Sequence, residues 1–101
     1  MYGTVKKAVG VVLVEDILSA ICVARVPDII AIPMFGTSCS RQLEKHLQKL
    51  DIFTYVWLDG DVKKKSIALK NRLKSLGLLT KSILTSKDPK TFTKEEIEEI
   101  L

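Results

Sequence analysis

Three carboxylates, Glu15, Asp59 and Asp61, stand where a strand-like run stops, and a short loop and a basic stretch lie close to them in sequence. Glu15 directly follows the apolar run 11–14, and Asp59 and Asp61 directly follow the apolar and aromatic run 52–58. Two residues apart in extended backbone, the side chains of Asp59 and Asp61 point the same way, and Gly60 between them turns without a Cβ clash. If the two strands are neighbours, Glu15 faces the aspartate pair. Clustered carboxylates raise one another's pKa, and a bound divalent cation removes that penalty. Mg2+ suits such a set because it is hard, prefers oxygen and bridges carboxylates to substrate phosphate. The competing use of the same acids is structural. Glu15 or Asp16 can sit in the first turn of the following helix, and Asp61 can cap the helix that starts at Val62.

Gly36, Thr37, Ser38, Cys39 and Ser40 form a small-residue loop ahead of a helix, a place where backbone N–H groups can meet an anion. No GK[ST] follows, so this is not a P-loop, and a simple N-cap by Ser40 explains it equally well. Lys63, Lys64 and Lys65 follow the aspartates. On a helix they make a solvated face, or, beside a metal, hold phosphates, with Arg41 and Lys45 extending that surface. Cys22, Cys39 and His46 give neither a zinc spacing nor a disulfide framework; the cysteines read as small buried side chains and His46 as an exposed helical residue. Tyr55 and Trp57 read as core rather than as a platform for bases.

The elements that must position these groups follow from the apolar period. Runs at 10–14, 29–32, 52–58 and 81–85 read as strands. The spacing predicts helices over 16–26, ended by Pro27, then from Ser40 through Leu43, Leu47 and Leu50, and over 62–76 with Ile67, Leu69, Leu73 and Leu76 apolar and Gly77 as the left-handed stop. Residues 87–90 read as a turn, and Thr93 with Glu96 as a capping box opening a last helix to Leu101. Residues 1–7 add a candidate edge strand. Strands alternating with helices imply an α/β fold, a mainly parallel sheet of about four strands with helices on both faces, as one domain over 1–101. One sequence does not specify the order of the strands in the sheet.

Composition narrows the class. A chain of 101 residues with 47% hydrophobic and 28% charged residues is globular in composition and holds one core. No apolar run approaches a membrane span of about 18 residues, so no membrane partner is expected. The apolar run 11–14 is too short for a signal segment and ends in Glu15 and Asp16. With the sparse cysteines, this favours a cytoplasmic, reducing location. A net charge of +4 is compatible with a polyanionic partner without demanding one.

Taken in order, the motifs resemble the Toprim domain, the metal-dependent module of bacterial-type primases, topoisomerases and some nucleases and recombination proteins. The resemblance runs from about Gly10 to Thr93. Its carriers are the glutamate closing an apolar strand at 11–15, the Gly-Thr loop entering a helix at 36–42, the D-x-D after a hydrophobic strand at 57–61, and the Lys-Asp-Pro turn at 87–89. The D-x-D followed by a basic helix and the late turn are more similar to primases, phage-type primase–helicases in particular, than to topoisomerases. Primases usually carry Gly after the glutamate and Asp four residues beyond it, where this chain has Asp16 and Ser19; Lys63 and Lys64 replace a small pair after D-x-D. By this resemblance Glu15, Asp59 and Asp61 are the metal-site and catalytic acids for Mg2+ or Mn2+, Asp16 is a candidate extra acid, and Gly36, Thr37, Lys63 and Lys64 face substrate phosphate. The implied activity is RNA primer synthesis from NTPs on a single-stranded DNA template, within a larger replication protein and beside a helicase. A Toprim nuclease and a non-catalytic α/β binding module are the alternatives.

Overall fold

The architecture was taken from a computed structural model that describes residues 8–35, 40–58, 62–85 and 87–101. The elements alternate: β1 (Gly10–Val14), α1 (Ile17–Val23), β2 (Ile29–Pro33), α2 (Arg41–Leu50), β3 (Phe53–Val56), α3 (Lys63–Ser75), β4 (Thr80–Ser82), a single 3-10 turn (Pro89–Thr91) and α4 (Lys94–Ile100). The strands form one four-stranded sheet in the order β2-β1-β3-β4. Every pairing is parallel, with Gly10 opposite both Ile29 and Phe53, and Thr54 opposite Thr80. The α/β class with one parallel sheet is therefore the observed fold. The candidate edge strand at 1–7 lies outside the described residues.

Burial on both faces explains why β1 is an unbroken β-branched and apolar run. All its residues are buried. Val11 and Leu13 point to one face, where they meet Ile30, Ile32, Val56, Leu47 of α2, and Leu69 and Leu73 of α3. Val12 and Val14 point to the other, against Ala31, Trp57, Ile83, Ala20 and Val23 of α1, and Ile97 of α4. α1 thus covers one face, while α2 and α3 cover the opposite face. Right-handed crossovers require this for the observed order, because β1 to β2 steps one way along the sheet and the two later crossovers step the other way.

Element ends follow local chemistry. Ser40 caps α2 by accepting the Leu43 N–H at 3.1 Å. Asp51 ends α2 in the left-handed conformation (φ 49°) and Gly77 follows α3 at φ 88°. The capping box of α4 is complete: Thr93 Oγ1 accepts from Glu96 N at 3.2 Å and Glu96 Oε1 accepts from Thr93 N at 2.9 Å. Several details differ from the sequence reading: β3 is confined to Phe53–Val56 within the run 52–58, and α3 to Lys63–Ser75 within 62–76. α1 closes at Val23, with Ala24 as its cap, ahead of Pro27. β4 begins one residue earlier and is shorter, because only Thr80–Ser82 are in register with β3. The buried face of α3 is Ser66, Leu69 and Leu73, so Ile67 falls on the flank and is exposed.

Trp57 is fully buried, its indole N–H donates to Thr85 Oγ1 at 2.9 Å, and its ring lies 5.5 Å from that of Phe92. The C-terminal segment is thereby fastened over β3. Leu13→Ala should lower unfolding free energy by about 2–5 kcal/mol in urea titration, since a fully buried central side chain leaves a cavity. Thr93→Ala should cost about 1 kcal/mol, through loss of the cap.

Candidate functional site

In an open parallel sheet, ligands bind beyond the carboxyl ends of the strands, where neighbouring crossovers depart in opposite directions. Here that point falls between β1 and β3, since α1 leaves β1 toward β2 and α3 leaves β3 toward β4. The two strand ends are tied together: Leu13 is opposite Val56, and Trp57 N–H donates to the Leu13 carbonyl at 2.9 Å. Glu15 follows β1 at this rim and is half-buried. Leu58, buried, is the last described residue on the β3 side. The condition set by the sequence, that these strands be neighbours, is met. Asp59 and Asp61, with Gly36, Thr37 and Cys39, lie outside the described residues. Among the described residues no group of three or more His, Cys, Asp and Glu side chains could hold a metal ion.

Asp16 is engaged as a structural acid. Its Oδ1 accepts the Ser19 N–H at 2.8 Å as the N-cap of α1, and its Oδ2 lies 3.3 Å from Lys90 Nζ. Lys90 also approaches Asp88 at 3.5 Å. The Ser19 amide first, with the Ser19 hydroxyl and Lys90 adding to it, holds the Asp16 carboxyl below its ordinary value against the opposing effect of partial burial. Lys90 is pushed up by Asp16 and, more weakly, by Asp88. Asp16, offered by the resemblance as an extra metal acid, thus already has a cap and an ion pair to serve. The Lys-Asp-Pro turn is what brings Lys90 back to this end of α1, a contact across 74 positions of chain that no local pattern discloses.

α3 begins against its own dipole. Lys63 is its first helical residue, no acid occupies its first turn, and its N-cap is Val62, which offers no side-chain acceptor. The helix starts one residue later than expected, at Lys63, and Asp61, the acid expected to cap it, lies outside the described residues. Lys63, Lys64 and Lys65 are exposed there, adding positive charge at the helix end that is already the positive one. An anion close to this rim would relieve that arrangement.

A second feature was not apparent from the sequence. Glu44 on α2 is nearly buried, and Arg72 of α3 grips it through Nε to Oε2 at 3.0 Å and Nη2 to Oε1 at 3.4 Å. The contact raises the Arg72 pKa through this hydrogen bond. Gln48 donates from Nε2 to the Leu76 carbonyl at 3.2 Å, a second tie between the same helices. The packing of α2 beside α3 is what puts Glu44 inside. Of the other candidates, His46 is exposed, and Cys22 is half-buried with Sγ 3.9 Å from the Lys90 carbonyl.

The Asp16 cap has a pH signature. A carboxyl whose pKa is depressed by folding stabilises the fold above its unfolded value and loses that contribution as pH falls through the folded value. Asp16→Ala should therefore cost about 1 kcal/mol near pH 7 by urea denaturation. The gap to wild type should close below the model-compound value of 3.8.

Compared with known proteins, the chain matches no family model, no curated protein and no solved structure.

Proposed function

We propose that this chain is the catalytic domain of a metal-dependent nucleotidyltransferase of the primase type, extending RNA on a single-stranded DNA template. The supporting observation is the position of Glu15: it leaves the central strand at the switch point of the sheet, beside the strand whose continuation carries Asp59 and Asp61. Glu15, Asp59 and Asp61 are an all-oxygen donor set, the chemistry that Mg2+ or Mn2+ selects. When bound, such an ion neutralises phosphoryl charge and acidifies the attacking hydroxyl.

In this reading Asp59 and Asp61 would hold the ion, and Glu15 would ligate it or act as general acid or base; the proton of the attacking hydroxyl goes to Glu15 in the second case and to solvent in the first. The primer 3′-oxygen attacks the α-phosphorus of an NTP. A phosphorus–oxygen bond to the primer forms, the bond to the β-phosphate bridge oxygen breaks, and pyrophosphate leaves. Lys63 and Lys64 at the start of α3 contact the nucleotide phosphates, and Gly36 and Thr37 add backbone donors. A helicase and other replication proteins are the natural partners of such a domain. No helix among the described residues is long and apolar enough to cross a membrane.

The test is direct. NMR titration with Mg2+ should shift the resonances of Glu15, Asp59 and Asp61 at millimolar metal. Template, NTPs and metal should yield extended strands, and Asp59→Asn should reduce extension by at least 100-fold, roughly the loss of one key electrostatic group. Shortened strands instead would assign the same acids to hydrolysis. Absence of any metal response would leave the acids as helix caps in a binding module.

A further inference from the structure

The helices on one face of the sheet enclose a groove of about 290 Å³ lined by Arg41, Glu44, Lys45, Gln48, Arg72 and Leu76. Its cations are not equivalent. Arg72 spends Nε and Nη2 on Glu44, so that pair is internally neutral and fixes the wall between the helices. Arg41 and Lys45 are exposed, and neither makes a hydrogen bond or ion pair with the described residues. They stand one turn apart on α2, a rise of roughly 6 Å along its axis. The groove therefore presents two uncompensated positive charges in line above a neutral, hydrogen-bonded and partly apolar floor. Arg41 is the first residue of α2, so the positive end of that helix adds to the same field.

We propose that this groove seats the phosphodiester backbone of a single strand, with Arg41 and Lys45 each contacting a phosphate. The inference rests on the reading that the chain acts on single-stranded DNA. It adds a path for the strand along the α2–α3 face, separate from the carboxylate rim. A backbone fits better than a compact anion because the two charges are spread along an open groove instead of converging on one point. The Glu44–Arg72 pair serves as a positioning element: it holds α2 at a fixed distance from α3 and keeps Arg72 from competing for the ligand.

Binding of a fluorescein-labelled oligo-dT to the full chain, followed by anisotropy in EDTA over a range of KCl, tests this without metal chemistry. Each phosphate contact to a single strand contributes about 0.7 to the slope of log affinity against log salt. Arg41→Ala/Lys45→Ala should therefore flatten the slope by about 1.4 and weaken binding about 25-fold at 0.1 M salt. The single change Lys45→Glu should weaken binding at least as much as Lys45→Ala. Unaltered slope and affinity in the double variant, with an unchanged circular dichroism melt, would overturn the proposal. So would equal displacement of the oligonucleotide by inorganic phosphate at matched ionic strength, because that marks a generic anion pocket. No oligonucleotide binding by wild type would likewise refute it. A strand-binding loss in the double variant together with no primer extension by wild type upholds the groove and removes the primase reading. Extension by wild type with unaltered binding in the double variant does the reverse.

Discussion

A parallel sheet cannot leave either face wet, and the central strand β1 is where that constraint bears hardest. It hydrogen-bonds to β2 on one side and β3 on the other, and all of its side chains are buried. Its backbone polar groups are satisfied by the sheet, and its apolar groups need a layer of helix above and another below. Gly10, at its start, has little room for more: a Cβ there would meet the Tyr55 ring at 3.2 Å and the Ile29 side chain at 3.3 Å. That demand for cover on both faces is met by α1 and α4 on one side and α2 and α3 on the other, and the strand order with right-handed crossovers then opens the rim between β1 and β3. The proposed chemistry is assigned to that rim, where the crossovers of β1 and β3 part.

The electrostatics divide along the same lines. At the rim, Asp16 is given to the helix dipole and to Lys90, whereas the lysines of α3 stand against a dipole of their own sign. Away from the rim, the Glu44 carboxylate is taken out of water only because a bidentate guanidinium accompanies it. A carboxylate lodged between helices without such a partner would destabilise the fold, since the residual attraction has to offset desolvation. The pair is better understood as setting the spacing of α2 and α3 than as a large source of stability, because Arg72 remains half exposed.

The alternation of strands and helices was legible because β1, β2 and β3 are short β-branched runs and because Ser40, Gly77, Thr93 and Glu96 are strong local signals of helix ends. What was not legible depended on distance. The shift of β4 toward Thr80 is set by its register with β3. The buried face of α3 starts at Ser66, in phase with Leu69 and Leu73, so a small hydroxyl stands where an apolar side chain would announce the face, while the apolar Ile67 sits about a hundred degrees round the helix. Glu44 and Lys90 acquire their roles from partners 28 and 74 positions away. Of the site, Glu15 at the end of β1 could be named from the strand it follows; the adjacency of β1 and β3 that gives the residue its meaning is a property of topology.

The burial of Trp57 against Phe92 and under Thr85 carries a practical corollary. It is the sole tryptophan of the chain, so the ultraviolet emission of the protein comes chiefly from one ring, sealed by the segment that closes the fold. Undocking of that segment would hydrate the indole and move its emission to longer wavelength, whether or not the rest of the sheet had opened. Intrinsic fluorescence thus responds to the closing segment as well as to the sheet beneath it, and an emission change that precedes the loss of far-ultraviolet dichroism would separate peeling from melting.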